Sequence, residues 1–235
     1  MNPKTAFLID AEFLFRRLHA VCGELPPDEA VSLLVQLCHK HLDFFTRTPA
    51  QLYRIFVYDC PPLGTNGQQP ISKRNINWAK SDLYFWRTAV HKSLKKQRKV
   101  ALRMGKLQVA SPPWVLRSEK VKELLAGTIQ VGDLKDEDFR PDIQQKGVDM
   151  KIGLDIASIS NRRLADQIVL VTGDSDFVPA VKYARREGID LVLDSLDAPV
   201  PEDLLEHVDG HQSVIRYLVP TRAPILRKPA ASDER

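Results

Sequence analysis

Apolar and polar positions along the chain fall into two alternating periods. Ala6-Phe7-Leu8-Ile9 is a short unbroken apolar run that ends in Asp10, the signature of a buried strand. Phe13, Leu14, Leu18 and Val21 then repeat at helical spacing, and Pro26-Pro27-Asp28 breaks and restarts the chain before a second amphipathic helix over 30–45. Leu52 to Tyr58 predicts a second strand ending in Asp59, followed by a Pro-, Gly- and Asn-rich loop from Pro61 to Asn75. The spacing over 78–96 predicts a helix with Leu83, Trp86, Val90 and Leu94 along one face. Val100 to Arg103 and Leu107 to Val109 read as a strand or hairpin around Gly105. Ser111 to Gln145 is the least regular stretch, with a short helix expected near Glu119–Leu125. Regularity returns with a helix over 148–159, a fully apolar strand from Gln167 to Val171, a helix ending at Gly188, and a strand from Ile189 to Leu193.

Unbroken aliphatic strands separated by helices imply an α/β fold, a mostly parallel central sheet with helices on both faces. The expected organisation is a single domain over 4–218, with a basic and irregular insertion at about 91–145 and a disordered basic, Pro-rich tail over 219–235. Forty-three per cent of the 235 residues are hydrophobic, enough for one sizeable core. No apolar stretch approaches the ~20 residues that span a bilayer. Cys22, Cys38 and Cys60 show no close pair and no metal-ligand spacing, which leads to the expectation of a reduced, cytoplasmic protein. The sequence leaves self-association open.

Charge changes the picture through its distribution. From His91 to Lys122 ten Lys or Arg residues face one acid, Glu119. Asp133 to Asp155 then holds seven acids against four bases. A basic tract beside an acidic cluster is what a protein needs to grip a polyanion while holding a divalent cation.

In parallel sheets ligands bind outside the carboxyl ends of the strands. Asp10 follows Phe7-Leu8-Ile9, and Asp174 and Asp176 follow Val169-Leu170-Val171-Thr172-Gly173, so all three fall on that rim. Asp149, beginning a helix after Lys146-Gly147-Val148, brings a fourth carboxylate from a third segment. Taken singly, each serves equally well as a helix N-cap or first-turn acid. Together they repel one another strongly, and a hard divalent cation relieves that repulsion. Oxygen ligands without His or Cys favour Mg²⁺ or Mn²⁺ over zinc. Such a site suits phosphodiester hydrolysis. Asp155 lies about 240° around the helix from Asp149, and so belongs beside the site rather than in it. Asp59 ends the second strand at the same rim. Phosphatase chemistry of the haloacid-dehalogenase kind usually wants a second Asp two residues after the first, where this chain has Glu12.

Lys146-Gly147-Val148-Asp149-Met150-Lys151, followed by Val171-Thr172-Gly173-Asp174-Ser175-Asp176-Phe177, resembles the NYN domain of the LabA/DUF88 group. Phe7-Leu8-Ile9-Asp10 and Val57-Tyr58-Asp59 are similar to that group's first two strand ends. The resemblance implies a PIN-like three-layer sandwich and a single-strand RNA nuclease using Mg²⁺ or Mn²⁺. It places Asp10, Asp149, Asp174 and Asp176 as catalytic metal ligands. Lys146, with Asp59, Asp155 and Ser175, would orient those acids or contact phosphate. Lys92, Lys95, Lys96, Arg98, Lys99, Arg103 and Lys106 would form the RNA track, with Trp114 as a stacking base partner. The chain departs from the pattern at Phe13, where the family often carries Asn. The same sequence accommodates a second reading, an RNA-binding or protein-interaction module that keeps the fold without turnover.

Overall fold

Strand β1 (Lys4–Asp10) is the scaffold on which everything else is laid. Its side chains alternate between two cores: Phe7 and Ile9 point into one, Ala6 and Leu8 into the other. The computed structural model describes residues 3–44, 50–108 and 112–219. After β1 come α1 (Ala11–Cys22), α2 (Pro27–Phe44), β2 (Gln51–Asp59), β3 (Asn66–Gln68), β4 (Asn75–Asn77), α3 (Asp82–Leu94), β5 (Val100–Met104) and β6 (Lys106–Leu107). Then follow β7 (Trp114–Leu116), α4 (Ser118–Leu125), β8 (Phe139–Pro141), β9 (Gln145–Lys146), α5 (Val148–Asn161) and β10 (Gln167–Val171). The last elements are α6 (Val178–Arg186), β11 (Asp190–Asp194), α7 (Glu202–Leu205) and β12 (Gly210–His211).

Six strands form one sheet in the order β12-β11-β10-β1-β2-β5, with every neighbour parallel. Helices α1, α2 and α3 pack on the Phe7/Ile9 face through Leu14, Leu34, Leu37, Val90 and Leu94. Helices α5 and α6 cover the Ala6/Leu8 face through Ile152, Ile156, Val181 and Ala184. This is the expected mixed α/β three-layer architecture. Because both faces are covered, the central strands carry apolar residues at nearly every position, and burial of β10 is complete along its length. No helix among the described residues is long and apolar enough to cross a membrane.

Several expectations are corrected. The segment read as a loop over 61–75 contains β3, which pairs with β4 as an antiparallel hairpin. The helix read as starting at Trp78 begins at Asp82, after a single 3₁₀ turn, because the Ser81 hydroxyl accepts from the Tyr84 N–H and caps it there. Leu83 is not on the buried face; it is 64% exposed. Of the strand or hairpin expected around Gly105, the strand is present as β5, paired parallel with β2, while β6 pairs antiparallel with β9, some 40 residues on, instead of with β5. Part of that expectation, Val109, lies outside the described residues, as do Ser111 and the tail from 220. The insertion is built from the antiparallel pair β7–β8 with α4 between them.

Candidate active site

Asp10 is both the last residue of β1 and the N-cap of α1, its carboxylate accepting from the Phe13 N–H at 3.2 Å. On the neighbouring strand Ile9 is level with Val171, so Thr172 and Gly173 carry the chain off the rim beside Asp10. Asp174 accepts from the Asp176 N–H at 3.0 Å and caps the 3₁₀ turn Ser175–Phe177. Asp149 sits in the first turn of α5, reached through Gly147 at φ +80°, a left-handed conformation that favours glycine. Phe13 explains Gly173: a Cβ there would lie 2.8 Å from the Phe13 ring. Buried at 6% exposure, that ring fills the space where the chain leaves β10.

Electrostatics link the acids that geometry brings to the rim. Burial raises the Asp10 carboxyl to about 6, helped by the charges of Asp149 and Glu12 and opposed by backbone N–H groups of Phe13 and Glu12. Burial also raises Asp149, and the charges of Asp174 and Asp176 push it the same way. Charge repulsion thus couples Asp149 to Asp10 and to the Asp174/Asp176 pair. Among the described residues no three Asp, Glu, His or Cys side chains stand close enough to cage a metal ion as they are. The donor set, all carboxylate and mutually repelling, fits a hard divalent cation in its chemistry.

Asp10 and Asp149 both line a cleft of about 510 Å³, with Leu63, Trp78, Tyr84 and Ile143 among its apolar walls. Asp174 and Asp176 stand outside its lining, and both are exposed. Lys146 and Lys106 lie directly opposite each other in the β6–β9 pair, both exposed, close in sequence to Val148 and Asp149. Ser175 opens the 3₁₀ turn between the two rim acids and is half-buried.

The remaining residues singled out from the sequence are placed elsewhere. Asp59 is 1% exposed, and its carboxylate is held by Arg87 (3.0 and 3.1 Å), His91 (2.7 Å) and the Cys60 N–H (2.8 Å), so no phosphate can reach it. Asp155 accepts from the Tyr58 hydroxyl at 2.8 Å and pairs with Arg103 at 3.1 Å, which commits both partners. Burial and the Asp155 charge push the Tyr58 phenol well above its ordinary value. Trp114 packs against Trp78, ring centres 6.3 Å apart, and donates its indole N–H to the Gln68 carbonyl. It ties the insertion to the β3–β4 hairpin. Trp86 is a packing residue, edge-on to Phe15 and hydrogen-bonded to the Leu25 carbonyl.

Lys92, Lys95, Lys96, Arg98 and Lys99 are not gathered with the carboxylates at all. A helix joining two parallel strands must return the chain to the starting end of the sheet. Helix α3 does so, and the Lys99 ammonium reaches the carbonyl of Leu52 at the beginning of β2. This part of the basic run lies on the opposite rim.

Arg87 escaped the sequence reading. It bridges buried Asp59 to Glu12, donating to the latter at 2.7 Å, and it lines both the active-site cleft and an adjoining cleft of about 720 Å³. Nothing in the local pattern marked it, since its partners come from a separate strand and helix.

Residues 88–213 match the family model described as the NYN domain. That range includes Lys146, Asp149, Asp174 and Asp176, while Asp10 precedes it. No curated protein matches. Among solved structures, a protein of unknown function from Vibrio parahaemolyticus is 12% identical, aligned over 91% of this chain and 93% of its own, with a TM-score of 0.45.

Proposed function

The chain belongs to the NYN domain family, PIN-like proteins that are generally nucleases, and from that premise we propose that it is a metal-dependent ribonuclease hydrolysing single-stranded RNA. The observation that carries this is that Asp10 and Asp149 line one cleft, with Asp149 also repelled by the Asp174/Asp176 pair. PIN-like nucleases generally use divalent metals. Here Asp10, Asp149, Asp174 and Asp176 would hold Mg²⁺ or Mn²⁺, which supplies an activated water and offsets charge on the phosphoryl group.

The protein's own residues set up the rest. Two lysines directly opposite across a strand pair destabilise it unless an anion lies between them. Lys106 and Lys146, the latter three positions before Asp149 in the sequence, would therefore form a phosphate subsite. The walls around Trp78, Tyr84 and Leu63 offer an apolar surface for a nucleobase next to Asp10 and Asp149. The motifs resemble those of the LabA/DUF88 branch.

Replacing Asp10 or Asp149 by Asn is expected to abolish Mn²⁺-dependent shortening of a labelled single-stranded RNA, with the circular dichroism spectrum unchanged. Parental cleavage by both variants removes the assignment. One observation favours a second reading, a non-cleaving RNA-binding module: buried Phe13 puts an apolar ring where the family often has a polar amide. That reading holds if the purified protein retards RNA on a gel over hours with Mn²⁺ without shortening it.

A further inference from the structure

The active-site cleft is short of positive charge. Asp10, Glu12 and Asp149 line it, and among the described residues Arg87 is the single cation in its walls. An RNA phosphate entering it therefore meets like charge on three side chains and opposite charge on one. Arg87 is fixed from behind. Its Nη1 donates to both oxygens of Asp59, at 3.1 and 3.0 Å. Asp59 is shut away from solvent and held further by His91 and by the Cys60 N–H. The Phe15 ring covers the guanidinium, its centre 5.6 Å from Cζ. The second terminal nitrogen, Nη2, donates at 2.7 Å to Glu12, whose side chain is 49% exposed against 12% for Arg87.

Asp59 is already one anion on this guanidinium, and Glu12 is a second. An exposed carboxylate gains little from an ion pair and can turn out to water at small cost. The donor edge it vacates is planar and already immobilised by Asp59 and Phe15. A guanidinium so held binds a phosphate with defined direction and with little further loss of side-chain freedom. Glu12 and Arg87, with Leu83, line both the active-site cleft and the adjoining one of about 720 Å³, so they stand where the two clefts meet. Resting on the ribonuclease reading for the identity of the strand, we propose that Arg87 binds an RNA backbone phosphate where the strand passes between the clefts, and that Glu12 occupies the guanidinium until that phosphate displaces it. Glu12 is thus a stand-in for the substrate's own anion, and Asp59 is the anchor that keeps Arg87 at the site throughout.

Binding in EDTA reads this contact without cleavage, by anisotropy of a labelled oligouridylate of about 12 nucleotides titrated with the full chain. The variants are E12Q, R87K and E12Q/R87K, with thermal melts to check that each folds. Lysine keeps a cation on Asp59, but one ammonium cannot serve Asp59 and a phosphate with the geometry of the fork. R87K is expected to bind about tenfold more weakly than the parent, and E12Q about threefold more tightly. In the R87K background the gain from E12Q should vanish, because Glu12 acts through the guanidinium. An equal gain in both backgrounds overturns the proposal, since mere removal of a negative charge gives that result. Parental affinity in R87K overturns it too, leaving Arg87 as a partner for Asp59 alone. E12Q binding no tighter than the parent does so by itself, whatever the fold of R87K. If E12Q instead loses Mn²⁺-dependent cleavage at unchanged RNA affinity, Glu12 is a metal ligand and the displacement idea is wrong. A parent that shortens no RNA with Mn²⁺, yet shows the coupled binding, keeps Arg87 as an RNA contact while the nuclease reading falls.

Discussion

At the scale of single residues, Asp10 carries a cost that can be measured. Burial and neighbouring negative charge raise its carboxyl from 3.8 to about 6. A raised acid binds its proton more tightly in the native state than in the unfolded chain. Its contribution is therefore present below pH 3.8 and is lost as pH rises through about 6. Asn caps a helix as well as Asp and carries no charge. In EDTA, D10N should match the parent near pH 4 and exceed it at pH 7.5 by at most about 3 kcal/mol. Urea unfolding at the two pH values reads this, and a variant no more stable than the parent at pH 7.5 refutes it. Asp10 itself was legible, because an acid ending an apolar run at a strand's carboxyl end is an unusual placement. The environment of Phe13 was not legible, since it is fixed by Gly173, 160 positions away. Nor was the fate of Asp59, whose partners Arg87 and His91 lie on a helix that the sequence could not orient.

Among the elements, those defined by their own composition were read well. β1, β2, β10 and β11 are apolar because both sheet faces are covered, and α5 announces itself through Ile152, Ile156 and Ile159. Elements defined by a distant partner were misread: Gly105 looks like a hairpin turn, but β6 finds β9 instead. That pairing sets Lys106 against Lys146, and it makes a prediction of opposite sign for stability and function. K106E replaces a like-charge cross-strand pair by an opposite one, worth roughly 0.2–1 kcal/mol. The variant should melt slightly higher than the parent while its KM for single-stranded RNA rises, because the phosphate subsite has lost its charge. A lowered melting point together with parental KM argues against a phosphate subsite at this pair.

Across the whole molecule, Asp10, Asp174 and Asp176 stand at the rim where strands end, and Lys95, Lys96, Arg98 and Lys99 return to the edge where β2 and β5 begin. This polarity was half visible. The alternation of strand and helix fixed which residues exit at the carboxyl rim. The same rule, applied to a crossover helix, returns Lys95 to Lys99 to the amino edge, yet charge counted along a segment conceals that reversal. The consequence for stability is that the folded protein holds like charges together at one rim, whereas the unfolded chain disperses them. A divalent cation that binds only the folded arrangement should stabilise it by mass action, by about 2.7 kcal/mol at a hundredfold excess over its Kd. Calorimetry at pH 7.5 with and without Mn²⁺ should show a rise in melting temperature for the parent. D149N, which removes the carboxylate coupled to Asp10 and to the Asp174/Asp176 pair, should show little of it. An equal rise in both proteins would mean that the cation sits elsewhere, and the rim acids would then lose their claim to a shared metal.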